Sequence, residues 1–296
     1  MRRGWCRQST FSQGTNNTMT AELPWGEIAA ILGVLFATGL LVGFLSGLLG
    51  IGGGGLLVPV LFEIYRLFEV PDESRMHLAI GTSLAVMIPT SLRSFMAHRA
   101  RGGVDMSLVT RLGLPIFLGV IAGSIIAKWA SAEFLKWIWV VFGSLMAAKL
   151  LFGRESWRLG TEIPKSRIVE LYAMLVGTIS TIMSIGGGAY ITALLTLYGR
   201  PIQKAVGTSA GFGPVIAIPG MLGFIWAGWN VPGLPVGSIG YVNLLGFAAL
   251  VPASVMMAPV GARLAHGISR RTLEIIMGLF IATVSMRFLI AILAGV

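Results

Sequence analysis

Two glycine runs are the residues best placed to do chemistry in this sequence, and the chemistry is that of bare backbone. The first lies in GLLGIGGGGLLVPVL (47–61), with Gly50 and Gly52 to Gly55 inside an apolar stretch. The second lies in SIGGGAY (184–190), with Gly186 to Gly188. A glycine in a helix interior costs up to ~1 kcal/mol relative to alanine, so consecutive glycines mark a break. A helix restarting after the break presents unpartnered N–H groups and the positive end of its dipole. Without Cβ atoms to block approach, that end is suited to holding an anion. Close helix packing is the rival use of small residues, but it needs them spaced on one face, whereas a consecutive run lines every face.

Hydroxyls accompany both runs. Ser46 and Ser180 precede them, and the pairs Thr82/Ser83 and Thr208/Ser209 follow them in the same order. The candidate anion site is therefore the backbone of Gly52, Gly53, Gly54, Gly55, Gly186, Gly187 and Gly188 with these six hydroxyls. Arg93 is the charge deepest within an apolar segment and is a candidate lure for an anion. It also sits near that segment's end, where an arginine snorkels to the interface.

The elements that must position these groups are membrane helices. The chain has 296 residues, 55% hydrophobic and only 11% charged, with a mean hydropathy of +0.83. Soluble domains carry about 25% charged residues, so the polar coat is missing. Ten apolar segments recur between residues 27 and 294, many near the ~20 residues that cross a bilayer. The alternating ~10-residue pattern of a transmembrane barrel is absent. The net charge of +10 falls in short Lys/Arg clusters between apolar runs, which suits positive-inside loops and leaves no room for a nucleic-acid module. A single cysteine, Cys6, gives no disulfide framework or metal cluster. Residues 1–22 read as a polar tail without a signal-peptide core, and Met19 is a second candidate start.

The chain repeats itself. GFLSGLLGIGGG (43–54) aligns with GTISTIMSIGGG (177–188), AIGTS (79–83) with AVGTS (205–209), and GSIIAKWASAEFL (123–135) with GARLAHGISRRTL (261–273). Ser184 stands where the first run has Gly50, so the second cradle is expected to be the less open. The expected organisation is a first transmembrane repeat over 23–152, a polar linker over 153–167 and a second repeat over 168–296. Such duplication marks secondary transporters. Eight to ten spans are expected, depending on whether the short segments 55–68 and 188–199 cross or re-enter. If they cross, the halves are inverted and one side holds roughly twice the basic residues of the other, the arrangement the positive-inside rule favours.

Other motifs fail on context. GIGGGG (50–55) fits a dinucleotide fingerprint but follows an apolar helix rather than a strand. GTSAG (207–211) fits a nucleophile elbow, yet it opens a helix and no intramembrane His or acid partners it. Asp105 and Asn243 start two matched spans and read as N-caps. No Asp or Glu lies mid-span in a long segment, which disfavours a carboxylate proton relay.

The paired G-x-x-x-x-x-x-G-I-G-G-G stretches, with Ser184 as the departure, resemble the TauE/SafE family of sulfite exporters. The GTS segments, HRARGGVD (98–105) and the following GSIIA extend the likeness over about residues 27–294. The resemblance implies a duplicated α-helical inner-membrane transporter that exports a small sulfur oxyanion or organosulfonate, with no organic cofactor. Its expected partners are the anionic substrate and the lipid bilayer. An anion channel of the same build is the nearest alternative, and a membrane sensor or intramembrane enzyme lies further off.

Overall fold

The structure, a computed structural model, describes residues 25–49, 54–153, 159–160, 162–265 and 269–294. The polar tail and Gly50 to Gly53 lie outside the described residues. The chain is built from helices: α1 (Trp25–Leu49), α2 (Gly54–Leu67), α3 (Asp72–Ala100), α4 (Met106–Trp129) and α5 (Ala132–Phe152), then α6 (Arg167–Met183), α7 (Gly188–Leu197), α8 (Ile202–Ala210), α9 (Phe212–Ala227), α10 (Leu244–Ala265) and α11 (Arg270–Leu293). A two-residue β-hairpin, β1 (Ser238–Ile239) with β2 (Val242–Asn243), precedes α10.

Local chemistry sets the boundaries. Asp105 caps α4 by accepting from Ser107 N (3.1 Å) and Leu108 N (3.3 Å). Asn243 caps α10 by accepting from Gly246 N (2.7 Å). Ser131 and Ser269 do the same for α5 and α11. Both expected caps are therefore present. The interruption between α8 and α9 falls just before Pro214, which has no N–H to continue the ladder to Ala210.

Among the described residues, six helical stretches are long and apolar enough to cross a membrane: α3, α4, α5, the α8–α9 pair, α10 and α11. Their outer surfaces are apolar. On α4, Leu114, Leu118, Ile121 and Ile125 form an exposed stripe at helical spacing. The protein is thus an α-helical, multi-pass membrane protein.

The remaining helices form two hairpins. Leu159, in the polar linker, donates to the carbonyl of Leu197 at the end of α7 (2.7 Å), so α7 returns to the face from which α6 sets out. α4 starts on that face too, because Arg111 donates to the carbonyls of Ile163 (3.5 Å) and Pro164 (2.6 Å). α1 and α2 do the converse. α3 starts on the opposite face, where His77 stacks on Tyr241 (4.8 Å between centroids), so α2 ends there. α1 runs parallel to α10, with Gly39 against Leu250 and Gly43 against Ser254, so it also sets out from that face.

With ten residues, α7 rises about 15 Å, half of a ~30 Å hydrocarbon core. Among the described residues, the short helices α2 and α7 thus return to the faces from which α1 and α6 set out, so α1 with α2 and α6 with α7 make two hairpins that open on opposite faces. The sequence-matched glycines are points of close helix contact. A Cβ on Gly43 would strike the carbonyl of Ser254, and one on Gly177 that of Ile116.

Candidate functional site

The start of α2 meets the break between α6 and α7 inside the protein. A Cβ on Gly54 would strike the carbonyl of Ser184, and one on Gly55 would lie 2.6 Å from Ile185 Cγ1. Here glycine is needed for contact, the packing role weighed against the break in the sequence. Three hydroxyl and carbonyl groups pin the crossing. Ser184 Oγ donates to Ser83 Oγ (3.0 Å), and Ser83 Oγ donates to the carbonyl of Gly54 (2.6 Å). Ser83 and Ser184 are fully buried.

The second tip is an open break. Ser184 ends α6 with left-handed backbone (φ 51°), and Ile185 N closes the turn on the Ser180 carbonyl (2.9 Å). Gly187 caps α7, again left-handed (φ 66°), a conformation that L side chains rarely adopt. Ile191 N makes the first bond of α7, to the Gly187 carbonyl (2.9 Å). The N–H groups of Gly188, Ala189 and Tyr190 come before it and have no carbonyl within the helix to meet. The Ser180 hydroxyl lies 3.7 Å from where a Gly187 Cβ would be. Its residue is 0% exposed and its Oγ has no hydrogen-bond partner among the described residues. A buried, unpaired hydroxyl costs about 1–3 kcal/mol, and Ser180 is the one at this break.

The other sequence candidates are distributed as follows. Gly54, Gly55, Ser83, Ser180, Gly186, Gly187 and Gly188 gather at the tips, while Gly52 and Gly53 lie outside the described residues. Ser46 is buried near the end of α1. Ser209 Oγ accepts from Thr192 Oγ1 (2.9 Å), one turn along α7 from the second tip. Thr82 and Thr208 sit towards opposite faces, each holding the cap residue of a helix from the other half of the chain. Thr208 Oγ1 accepts from Asp105 N, and Thr82 Oγ1 accepts from Asn243 N, both at 2.9 Å. Thr82 also accepts from the Tyr65 hydroxyl (3.0 Å). Arg93 is exposed on α3 and is not among the residues gathered at the tips.

Sequence reasoning missed Tyr65 and undervalued Ser184. A tyrosine six residues before a helix-starting Pro-Asp pair gives no local signal of its role. Ser184 acts through a contact made across the chain's two halves.

A Haemophilus influenzae protein described as a probable membrane transporter protein is 31% identical over 249 residues, covering 83% of this chain and 94% of the relative. The probable membrane transporter protein MJ0441 of Methanocaldococcus jannaschii is 26% identical over 271 residues, covering 86% and 96%. The probable membrane transporter protein YunE of Bacillus subtilis is 27% identical over 267 residues, covering 82% and 92%. No solved structure matches the chain. The family described as sulfite exporter TauE/SafE matches residues 35–288, and this multi-pass, hairpin-containing chain belongs to it.

Proposed function

We propose that the protein is a secondary transporter of the inner membrane that exports a small anion, sulfite or a related sulfur oxyanion or organosulfonate. The anion sits where the hairpin tips meet. Gly188, Ala189 and Tyr190 offer N–H groups from the α7 terminus, Ser180 offers its hydroxyl, and the first glycine run, whose Gly54 and Gly55 touch this break, supplies further backbone donors. One observation carries this reading: the buried Ser180 hydroxyl, without a partner, beside the left-handed Gly187 that opens α7. Irregular backbone at membrane depth is tolerated where it is enclosed by protein or lines a cavity. Discontinuous helices that point their ends at one site are a transporter device.

The two halves are inverted duplicates in this reading. Its support is that matched residues make matched contacts: Gly43 with Ser254 against Gly177 with Ile116, and Thr82 with Asn243 against Thr208 with Asp105. The basic residues of the linker face make that face cytoplasmic.

Sulfite efflux from loaded proteoliposomes tests the assignment. Ser180→Ala breaks no hydrogen bond of the described structure, so it leaves the fold intact while slowing efflux ~10-fold, the worth of one hydrogen bond to a charged group. Gly187→Val and Gly53→Val abolish efflux. At Gly187 a β-branched residue is strained at φ 66°, and its Cβ would lie 2.8 Å from Ile216 Cδ1. Unimpaired efflux in Ser180→Ala and both valine variants returns the glycines to packing. Counterflow separates carrier from channel, because only a carrier exchanges labelled for unlabelled sulfite against the net gradient.

A further inference from the structure

On the linker face a cavity of about 150 Å³ opens between the start of α4, the end of α7 and the start of α8. Arg200, Lys204, Asp105, Leu108, Leu195 and Thr208 line it. Two cations face one carboxylate. Arg200 Nη2 is 4.0 Å from Asp105 Oδ2, while Asp105 Oδ1 is engaged by Ser107 and Leu108. The lining therefore keeps a net positive charge. About 10–15 Å³ of such space holds one water, so a small hydrated oxyanion fits and a bulky solute does not. Next to Thr208, the buried Ser209 hydroxyl accepts from Thr192 Oγ1, one turn along α7 from Gly187.

The opposite face carries the same construction, filled. The offset that aligns Gly43 with Gly177 also aligns Arg66 with Arg200, Leu61 with Leu195 and Tyr65 with Gly199. The offset that aligns Asp105 with Asn243 also aligns Leu108 with Gly246, and Gly102 with Gly240. The last two are both left-handed, φ 66° and 54°. Where the linker face has Gly199 and open space, the opposite face has the Tyr65 side chain. Its hydroxyl reaches Thr82, and a Cβ on Gly246 would lie 3.3 Å from it. Tyr65 is 4% exposed.

We propose that the linker-face cavity is an anion-capture vestibule, where Arg200 and Lys204 collect a small oxyanion from solution before it reaches the hairpin tips, and that Tyr65 plugs the equivalent mouth on the opposite face. The inference rests on the anion-transporter reading and adds a second, shallower site with a side preference. A positively lined cleft raises local anion concentration and the rate of encounter. The ligand chemistry is an oxyanion, which a dissolved ion or the phosphate of a lipid headgroup could supply, and the vestibule is assigned the dissolved ion.

Two measurements with sulfite as the probe test this. In proteoliposomes of phosphatidylcholine, Lys204→Gln and Arg200→Gln each raise the half-saturating sulfite concentration at the linker face several-fold with little change in maximal rate, and raised ionic strength does the same to the wild type. An unchanged half-saturating concentration in both variants overturns the vestibule. Calorimetric titration of sulfite into the Gly187→Val protein isolates the shallow site. Weak binding that persists there and is lost on adding Lys204→Gln supports the vestibule even if the deep site is wrongly placed. No binding to Gly187→Val overturns the vestibule while leaving the tip assignment standing. Repeating the titration with phosphatidylglycerol present addresses the lipid. If the anionic lipid abolishes sulfite binding, the cavity is a headgroup site and the proposal falls. Finally, Tyr65→Ala increases sulfite flux presented from the opposite face, and no increase there overturns the plug.

Discussion

The two threonine clamps are built on one bond and differ in what surrounds it. At the linker face Thr208 accepts from the backbone of Asp105, and at the opposite face Thr82 accepts from the backbone of Asn243, at the same 2.9 Å. Each clamp fixes the start of a helix belonging to the other half of the chain. Around Thr208 lie Arg200, Lys204 and open space; around Thr82 lie the Tyr65 side chain and Gly246. The shared bond sets the geometry, while its neighbours differ: Gly199 stands where the opposite face has Tyr65, and Asp105 where it has Asn243. An internally matched scaffold can in this way be sided without being rebuilt.

The strongest way to break the comparison is to remove each hydroxyl with a near-isostere. Thr82→Val leaves both Asn243 N–H and the Tyr65 hydroxyl unpaired in a buried site, a loss of about 2–4 kcal/mol. Thermal unfolding in lipid nanodiscs should show the drop. Thr208→Val strands only Asp105 N–H, beside a cavity that water can enter, and should cost about 1 kcal/mol. Equal losses in the two variants would mean that the clamps do not differ in their surroundings. Tyr65→Phe sharpens the point further, keeping the ring in place and deleting one hydrogen bond worth about 0.5–1.5 kcal/mol. It should destabilise less than Thr82→Val and leave flux from the opposite face as low as in the wild type.

The membrane class, the cap residues and the positions of the helix breaks were legible because each is local: an apolar run, an Asp or Asn before it, consecutive glycines. The direction of α2 and α7 was not. Hydropathy measures the length of an apolar segment, whereas the return of α7 is revealed by Leu159 bonding to Leu197 across the intervening hairpin. The break and packing readings of glycine were opposed in the sequence and prove to coexist, since Gly187 bends the chain while Gly54 and Gly55 admit Ser184 and Ile185. Ser184 looked like a crowded glycine. A left-handed serine whose hydroxyl reaches Ser83 depends on two distant segments crossing, and no spacing along the chain encodes that. Arg200 and Lys204 counted only towards sidedness, because their shared cavity arises where three separate helices end.

Acid offers the mildest probe of the comparison, because only one clamp titrates. The hydrogen bond from the Ser107 hydroxyl, helped by Leu108 N–H and by the Arg200 guanidinium against a counteracting effect of burial, holds the Asp105 carboxyl below its usual range. A carboxyl whose folded pKa is depressed stabilises the protein above its unfolded value of ~3.9, and that contribution is lost as pH falls through the lower folded value. The side chain is 30% exposed, so the effect is small. Below about pH 4, amide exchange at the start of α4 should rise before exchange at the start of α10, where Asn243 has no proton to gain. Asp105→Asn copies the opposite clamp and should abolish that difference at a slight cost in stability at neutral pH, since the neutral amide caps the helix but lacks the attraction to Arg200. If the α4 start of the Asp105→Asn protein still loosens first in acid, the carboxylate is not what distinguishes the clamps, and the difference must lie in the water-filled cavity beside Thr208.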